Sequence, residues 1–131
     1  MRITLIVAFV GYVGLSVPAP VAAHHTGATI YSEDTITLKG TVKAWLWSNP
    51  HCLLTLEIEG EDGTLVEWLG ELQAPNSIYP SGYRKNSFTP GDVVTVTMQP
   101  SADGKPHGRL SRVVFADGRT LGGRGRGAGA Q

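Results

Sequence analysis

Two adjacent histidines, His24 and His25, follow an apolar N-terminal stretch and are the residues in this sequence best suited to chemistry. A cut before His24 would leave that residue with a free α-amine and an imidazole. The α-amine titrates near ~8 and imidazole near ~6.5, so both can act as ligands around neutral pH. Nitrogen donors of this kind favour Cu(II) among the common divalent ions. The pair therefore predicts a copper site, completed by a third nitrogen from His51 or His107.

The position of the cut decides which copper geometry is available. A cut one residue earlier would make Ala23 the first residue and His25 the third. Copper or nickel would then be held by the amine, two backbone nitrogens and the imidazole of His25. The alternative is that both histidines belong to a polar, flexible leader without a ligand.

His51, in the segment Asn49-Pro50-His51, is the second candidate ligand. It stands at the start of a predicted strand, on its outward face, and Cys52 beside it points to the opposite face. A structural turn residue or a simple surface group is the alternative interpretation. We expect Cys52 to be a small buried hydrophobe.

Trp45 and Trp47 share the polar face of the first predicted strand with Lys39 and Lys43. Exposed aromatic rings beside cations can stack on ligands, so these two tryptophans form a candidate surface for a glycan or a protein partner. The alternative, which we favour, is that the N-terminal segment or the later linker folds over them.

Composition excludes several classes of function. The chain has 11 basic and 11 acidic residues, so there is no electrostatic case for a nucleic-acid partner. One cysteine allows neither an intramolecular disulfide nor a zinc site built on cysteines. Glu67 and Glu71 alone do not make a carboxylate-based hydrolase, and no other catalytic motif is present. We therefore do not predict an enzyme, although copper-dependent oxidative chemistry stays open.

Residues 1–23 have the three parts of a secretory signal. Met1 and Arg2 are followed by the apolar stretch 3–17 and by the small-residue exit of residues 18–23. Cleavage would leave 108 of the 131 residues, in the periplasm or outside the cell and without a membrane span. A retained N-terminal anchor is the alternative, but a span needs roughly 20 apolar residues.

Alternation of apolar and polar residues predicts five strands, at 35–47, 52–59, 64–69, 93–98 and 110–115. An irregular or short helical linker, at 74–89, separates strands three and four. Gly40 marks a bend or bulge in the long first strand. The order fits an all-β, five-stranded OB-like barrel, with a small open sandwich as the alternative. We expect an N-terminal segment at 24–34, the barrel at 35–121 and a disordered Gly/Arg tail at 122–131.

Several motifs resemble a family of small exported bacterial proteins known as a domain of unknown function. The matching parts are His24-His25, TITLKGTV at 35–42, the WSNPH segment at 47–51, WLGELQAPN at 68–76, Pro90-Gly91-Asp92 and Asp103-Gly104. Residues 26–34 and the tail depart from the pattern, and Pro80 interrupts a stretch that the pattern makes helical. The resemblance implies export and groups His24, His25 and His51 as one site.

Together these features predict an exported binding module that captures or delivers copper through His24 and His51, with His25 as an alternate ligand and His107 as an outsider on a mobile loop. Its partner would be the metal ion or another envelope protein. The alternatives are a metal-free interaction module that uses Trp45 and Trp47, and a structural envelope protein.

Overall fold

The computed structural model describes residues 30–123, and this region is a closed β-barrel with one short helical segment. The elements are β1 (Ile36–Leu46), β2 (Cys52–Glu59), β3 (Leu65–Leu72), α1 (Pro75–Ile78) continued by a 3-10 turn (Tyr79–Ser81), β4 (Val93–Pro100), β5 (His107–Phe115) and β6 (Thr120–Gly122). The predicted all-β class and the short helix between strands three and four are confirmed.

The strands follow the order β3-β2-β1-β4-β5-β6, and a parallel pairing of β3 with β5 closes the barrel. This five-stranded closure is the OB-like arrangement predicted from the sequence. β6 is an addition that the alternation did not reveal, because only three residues pair back onto β5 after the turn at Asp117-Gly118. Gly122, assigned to the tail from the sequence, ends this strand.

The long first strand contains its bulge at Lys43, three residues beyond the position predicted from Gly40. Val42 pairs with Leu56, but Ala44 pairs with Thr55, so Lys43 is the extra residue. Because one inserted residue reverses the side-chain alternation, Trp45 turns inward and Leu46 becomes 51% exposed. The sequence-based assignment of Trp45 to the outer, polar face was therefore wrong.

Gly40 serves close packing between strands. A Cβ at this position would lie 2.3 Å from Cδ1 of Ile58 and 2.7 Å from the carbonyl oxygen of Glu57. Even alanine would displace the neighbouring strand, which explains a glycine in the middle of an otherwise regular ladder.

The core fills the barrel and extends under the linker. Its fully buried aliphatic members come from β1, β2, β4 and β5, and the linker adds Ile78, Tyr83 and Phe88. The core consists of Val42, Cys52, Leu54, Leu56, Ile58, Leu72, Ile78, Tyr83, Phe88, Val94, Val96, Met98, Leu110, Val113 and Phe115. The linker thus packs onto the barrel and covers part of its core, and the site described below lies beside it.

Cys52 should be chemically inert in the folded protein. Its side chain is fully buried, burial raises the pKa of its thiol, and the Ser48 carbonyl accepts its hydrogen bond at 3.7 Å without offsetting that rise. We expect a disulfide reagent such as dithionitrobenzoate to label no thiol in the native protein and one thiol in denaturant. Rapid labelling of the native protein would contradict this packing.

Candidate functional site

Four side chains meet where β2 begins, β3 ends and β5 begins. His51 immediately precedes β2, Glu71 lies near the end of β3, and His107 is the first residue of β5. Tyr31 reaches the same place from the N-terminal segment. We call Tyr31, His51, Glu71 and His107 the Glu71 cluster, because each of the other three contacts this carboxylate.

Backbone pairing brings these positions together. Glu71 of β3 pairs with Leu53 of β2 on one side and with Arg109 of β5 on the other. Tyr31 is held by a bridge to Ser101. Its neighbours secure that bridge: the Ser32 N–H donates to the Pro100 carbonyl at 2.8 Å, and the Ala102 N–H donates to the Ile30 carbonyl at 2.9 Å.

Both carboxylate oxygens of Glu71 are engaged. Nδ1 of His51 bonds Oε1, while Nε2 of His107 lies 3.1 Å from Oε2. The Tyr31 hydroxyl donates to the same Oε2 at 2.5 Å and lies 3.2 Å from Nε2 of His107. An ionised carboxylate can only accept hydrogen bonds, so the facing imidazole nitrogens carry the protons.

Hydrogen bonding keeps Glu71 ionised. Partial burial raises the pKa of this carboxyl, but hydrogen bonds from Tyr31, His51 and His107, with the charge of His51, outweigh burial and hold it below its ordinary value. Glu71 thus keeps its negative charge in a half-buried place beside two imidazoles. This charge favours a protonated imidazole or another cation nearby.

His51 presents one ring nitrogen to solvent. Its Nδ1 is bound to Glu71, and its side chain is 51% exposed, which leaves Nε2 without a partner among residues 30–123. The preceding turn is fixed because the Ser48 hydroxyl donates to the His51 carbonyl at 3.0 Å. His51 is exposed and Cys52 is buried, as the alternation predicted.

His107 is better placed than the sequence suggested. It opens β5 and packs edge-on against the Tyr31 ring, with 5.5 Å between ring centroids. The expectation of a mobile loop was wrong, because the strand begins three residues earlier than the apolar alternation indicates. His51 and His107 are thereby brought to one carboxylate, whereas His24 and His25 lie outside the described residues.

Trp45 is engaged inside the fold. Its indole N–H donates to the Arg84 carbonyl at 3.0 Å, and the Phe88 ring lies 4.9 Å from it, centroid to centroid. Trp47 is half-buried and packs on Trp45 at 5.8 Å. The linker does cover Trp45, but on the inner side to which the bulge turns this ring rather than on the polar face assigned from the sequence. A partner-binding role would therefore fall mainly on Trp47.

Sequence reasoning missed Tyr31 and Arg109, and it considered Glu71 only as a partner of Glu67. The Arg109 guanidinium lies 4.7 Å from the centroid of the Tyr31 ring, on the rim of the Glu71 cluster. Glu67 is exposed and stands away from the histidines, opposite Glu57 in the β2–β3 ladder. The position of Glu71 near the end of β3 could have pointed to the cluster, but only the register of β3 against β2 and β5 shows which residues lie beside it.

No group of three or more histidine, cysteine, aspartate or glutamate side chains within residues 30–123 has an arrangement that would hold a metal. In the Glu71 cluster the carboxylate lies between the two imidazoles and bonds both of them. A metal at this place would therefore need further donors. In the same range, no helix is both long and apolar enough to cross a bilayer.

A family model described as a family of unknown function (DUF6152) matches residues 13–111, which is most of the chain. The chain belongs to this family. The resemblance noted from the sequence is confirmed at that level, while the signal peptide and the roles of the motif histidines stay predictions. The matched range includes the Glu71 cluster. No curated protein and no solved structure matches the chain.

Replacing Glu71 by glutamine should destabilise the fold in a pH-dependent way. Hydrogen bonds to a charged group contribute about 1.5–3 kcal/mol, so we expect a loss of about 1–3 kcal/mol at pH ~7. Folding lowers the pKa of the Glu71 carboxyl. The stabilisation is therefore fully present at a pH above the pKa of an unfolded glutamate, about 4.3, and is lost as the pH falls through the pKa of Glu71 in the folded protein.

Urea denaturation of the wild type and Glu71→Gln at several pH values measures this difference. The matched control is Glu67→Gln on the exposed face of the same strand, for which we expect a change below about 0.5 kcal/mol. Equal effects of the two substitutions at neutral pH, or a Glu71→Gln effect that persists unchanged in acid, would refute the role given to this carboxylate.

Proposed function

We propose that this DUF6152 protein is an exported copper-binding module whose ligands are the α-amine and imidazole of His24 and Nε2 of His51. The observation that carries the proposal is the state of His51: Glu71 binds its Nδ1, the side chain is 51% exposed, and Nε2 has no partner among residues 30–123. Removal of residues 1–23 on export creates the amine ligand.

The contact between Glu71 and His51 is the kind that supports metal-binding histidines. Such histidines usually donate their second ring N–H to a carboxylate, which fixes the tautomer and raises the basicity of the ligating nitrogen. The ionised Glu71 also lowers the electrostatic cost of placing a divalent cation nearby. These two effects favour a metal on the exposed side of His51.

The N-terminal histidines are within reach of this place. Tyr31 belongs to the Glu71 cluster, and His24 precedes it by seven residues. An extended chain spans up to ~3.3–3.6 Å per residue, so His24 can reach about 23–25 Å from Tyr31. The reach is ample for a ligand that must approach His51, which shares a carboxylate with Tyr31.

The available donors select the metal. Cys52 is buried and faces away, so no thiolate competes at the site. An amine and two imidazoles form a nitrogen-only set, which suits Cu(II) best among the divalent ions. His107 is the alternate third ligand, although its Nε2 is already engaged with Glu71 and Tyr31. Capture or delivery of copper would then be the activity of the module.

The first test uses protein exported and processed by a bacterial host, with its N-terminus read by intact mass. We expect a chain that begins at His24 and binds one Cu(II) per molecule. His24→Ala and His51→Ala should each weaken binding by more than about 100-fold, the upper end of what loss of a supporting partner costs. Copper titration with a competing chelator gives the affinities.

His25→Ala is the matched control, since it removes a neighbouring imidazole that is not a ligand in this arrangement. We expect its affinity to stay close to that of the wild type. A collapse in His25→Ala with an unchanged His51→Ala would indicate binding by the first three residues alone. That outcome, or a different N-terminus, would contradict the proposed ligand set.

A further inference from the structure

A cleft of about 650 Å³ runs from the Glu71 cluster along the barrel end and under the linker helix. It lies between β5, the end of α1 with the following 3-10 turn, and the short strand β6. Pockets that bind small molecules commonly have volumes of about 300–1,000 Å³. Its size therefore suits a small organic ligand rather than a lone ion.

The cleft has an apolar floor and a polar rim. Leu72, Ile78, Tyr83 and Leu110 form the floor and are buried. Gln73, Ser77 and Ser81 on the rim are exposed, and their side chains make no hydrogen bond within residues 30–123. This combination matches a ligand with an apolar body and a polar group at one end.

Arg109 supplies the charge that selects the polar group. It lines the cleft, stacks over Tyr31 and has no acidic partner among the described residues. Glu71, the acid nearest along the sheet, is already engaged by Tyr31 and the two histidines. The planar guanidinium is therefore available for a carboxylate, which it can bind through two parallel hydrogen bonds.

The inner end of the cleft holds an unsatisfied polar atom. Tyr83 is only 2% exposed, and its hydroxyl has no hydrogen-bond partner in the described part of the chain. Gly122 covers it, and a Cβ at Gly122 would lie 2.8 Å from the hydroxyl oxygen. A buried hydroxyl without a partner costs about 1–3 kcal/mol, and a second polar group that reached it from the far end of a ligand would recover part of this cost.

We propose that this cleft binds a small organic carboxylate, with its apolar body on Leu72, Ile78 and Leu110 and its carboxylate on Arg109. The cleft begins at His51 and Glu71, but Arg109 and the floor residues take no part in the proposed metal set. Binding to metal-free protein would therefore leave the copper proposal untouched, and failure of either proposal would not decide the other.

The test uses 2-naphthoate as the probe and 2-naphthylmethanol as its uncharged counterpart, with the processed protein freed of metal by a chelator. Calorimetry and NMR shift mapping give the affinity and the place of binding. We expect the acid to bind more than about tenfold tighter than the alcohol, as a charge-assisted hydrogen bond predicts. The shifted amides should lie in β5, α1 and β6.

Arg109→Ala should remove the preference for the acid, whereas Arg112→Ala should change the affinity less than twofold. Arg112 is the matched control, because it is an exposed arginine of the same strand that does not line the cleft. Ser77→Trp, a substitution at an exposed helix position, should block the cleft and abolish binding even if Arg109→Ala folds poorly. Equal binding of acid and alcohol, shifts outside the cleft, or full binding by Ser77→Trp would overturn the proposal.

Discussion

The parallel pairing of β3 with β5 is the constraint on which both candidate sites depend. It joins Leu69–Glu71 to His107–Arg109 and closes the barrel. Gly108, in the middle of this ladder, lets β4 pack closely on the other side of β5, since a Cβ there would lie 2.6 Å from Sδ of Met98 and 2.9 Å from the Gln99 carbonyl oxygen. The same three-residue ladder sets His107 against Glu71 and sends Arg109 toward the cleft. The strand pairing that closes the barrel thus also brings the residues of the site together.

Glu71 is the group that joins the side chains at this end of the barrel into one site. Its two oxygens order imidazoles from different elements, and Tyr31 ties the N-terminal segment to the same group. The carboxylate stays ionised because three hydrogen bonds outweigh the effect of its partial burial on the pKa. His51 is left with one protonated nitrogen on Glu71 and a second nitrogen that no other group within residues 30–123 binds. The sheet end thus holds the His51 ring in one orientation, which the proposed copper site requires.

The strands and most of the core could be predicted because alternation is a local property. Cys52, Leu54, Leu56 and Ile58 are buried as expected. The bulge at Lys43 could not be predicted, since Trp45, Leu46 and Trp47 are all apolar and hide the change of face. The Glu71 cluster was also out of reach, because it joins Tyr31 to a partner 40 residues away. Such contacts depend on register between strands, which no single segment of the chain encodes.

The tautomer of His51 is the most direct measure of whether Glu71 orients this ring. Long-range proton–nitrogen NMR of labelled protein, at a pH of about 8 where an ordinary imidazole is neutral, reports which ring nitrogen carries the hydrogen. We expect a proton on Nδ1 and a bare Nε2 in the wild type, with that preference lost in Glu71→Gln. A proton on Nε2 of His51 in the wild type would contradict this expectation, because Glu71 would then not hold the ring and the nitrogen offered to a metal would be occupied.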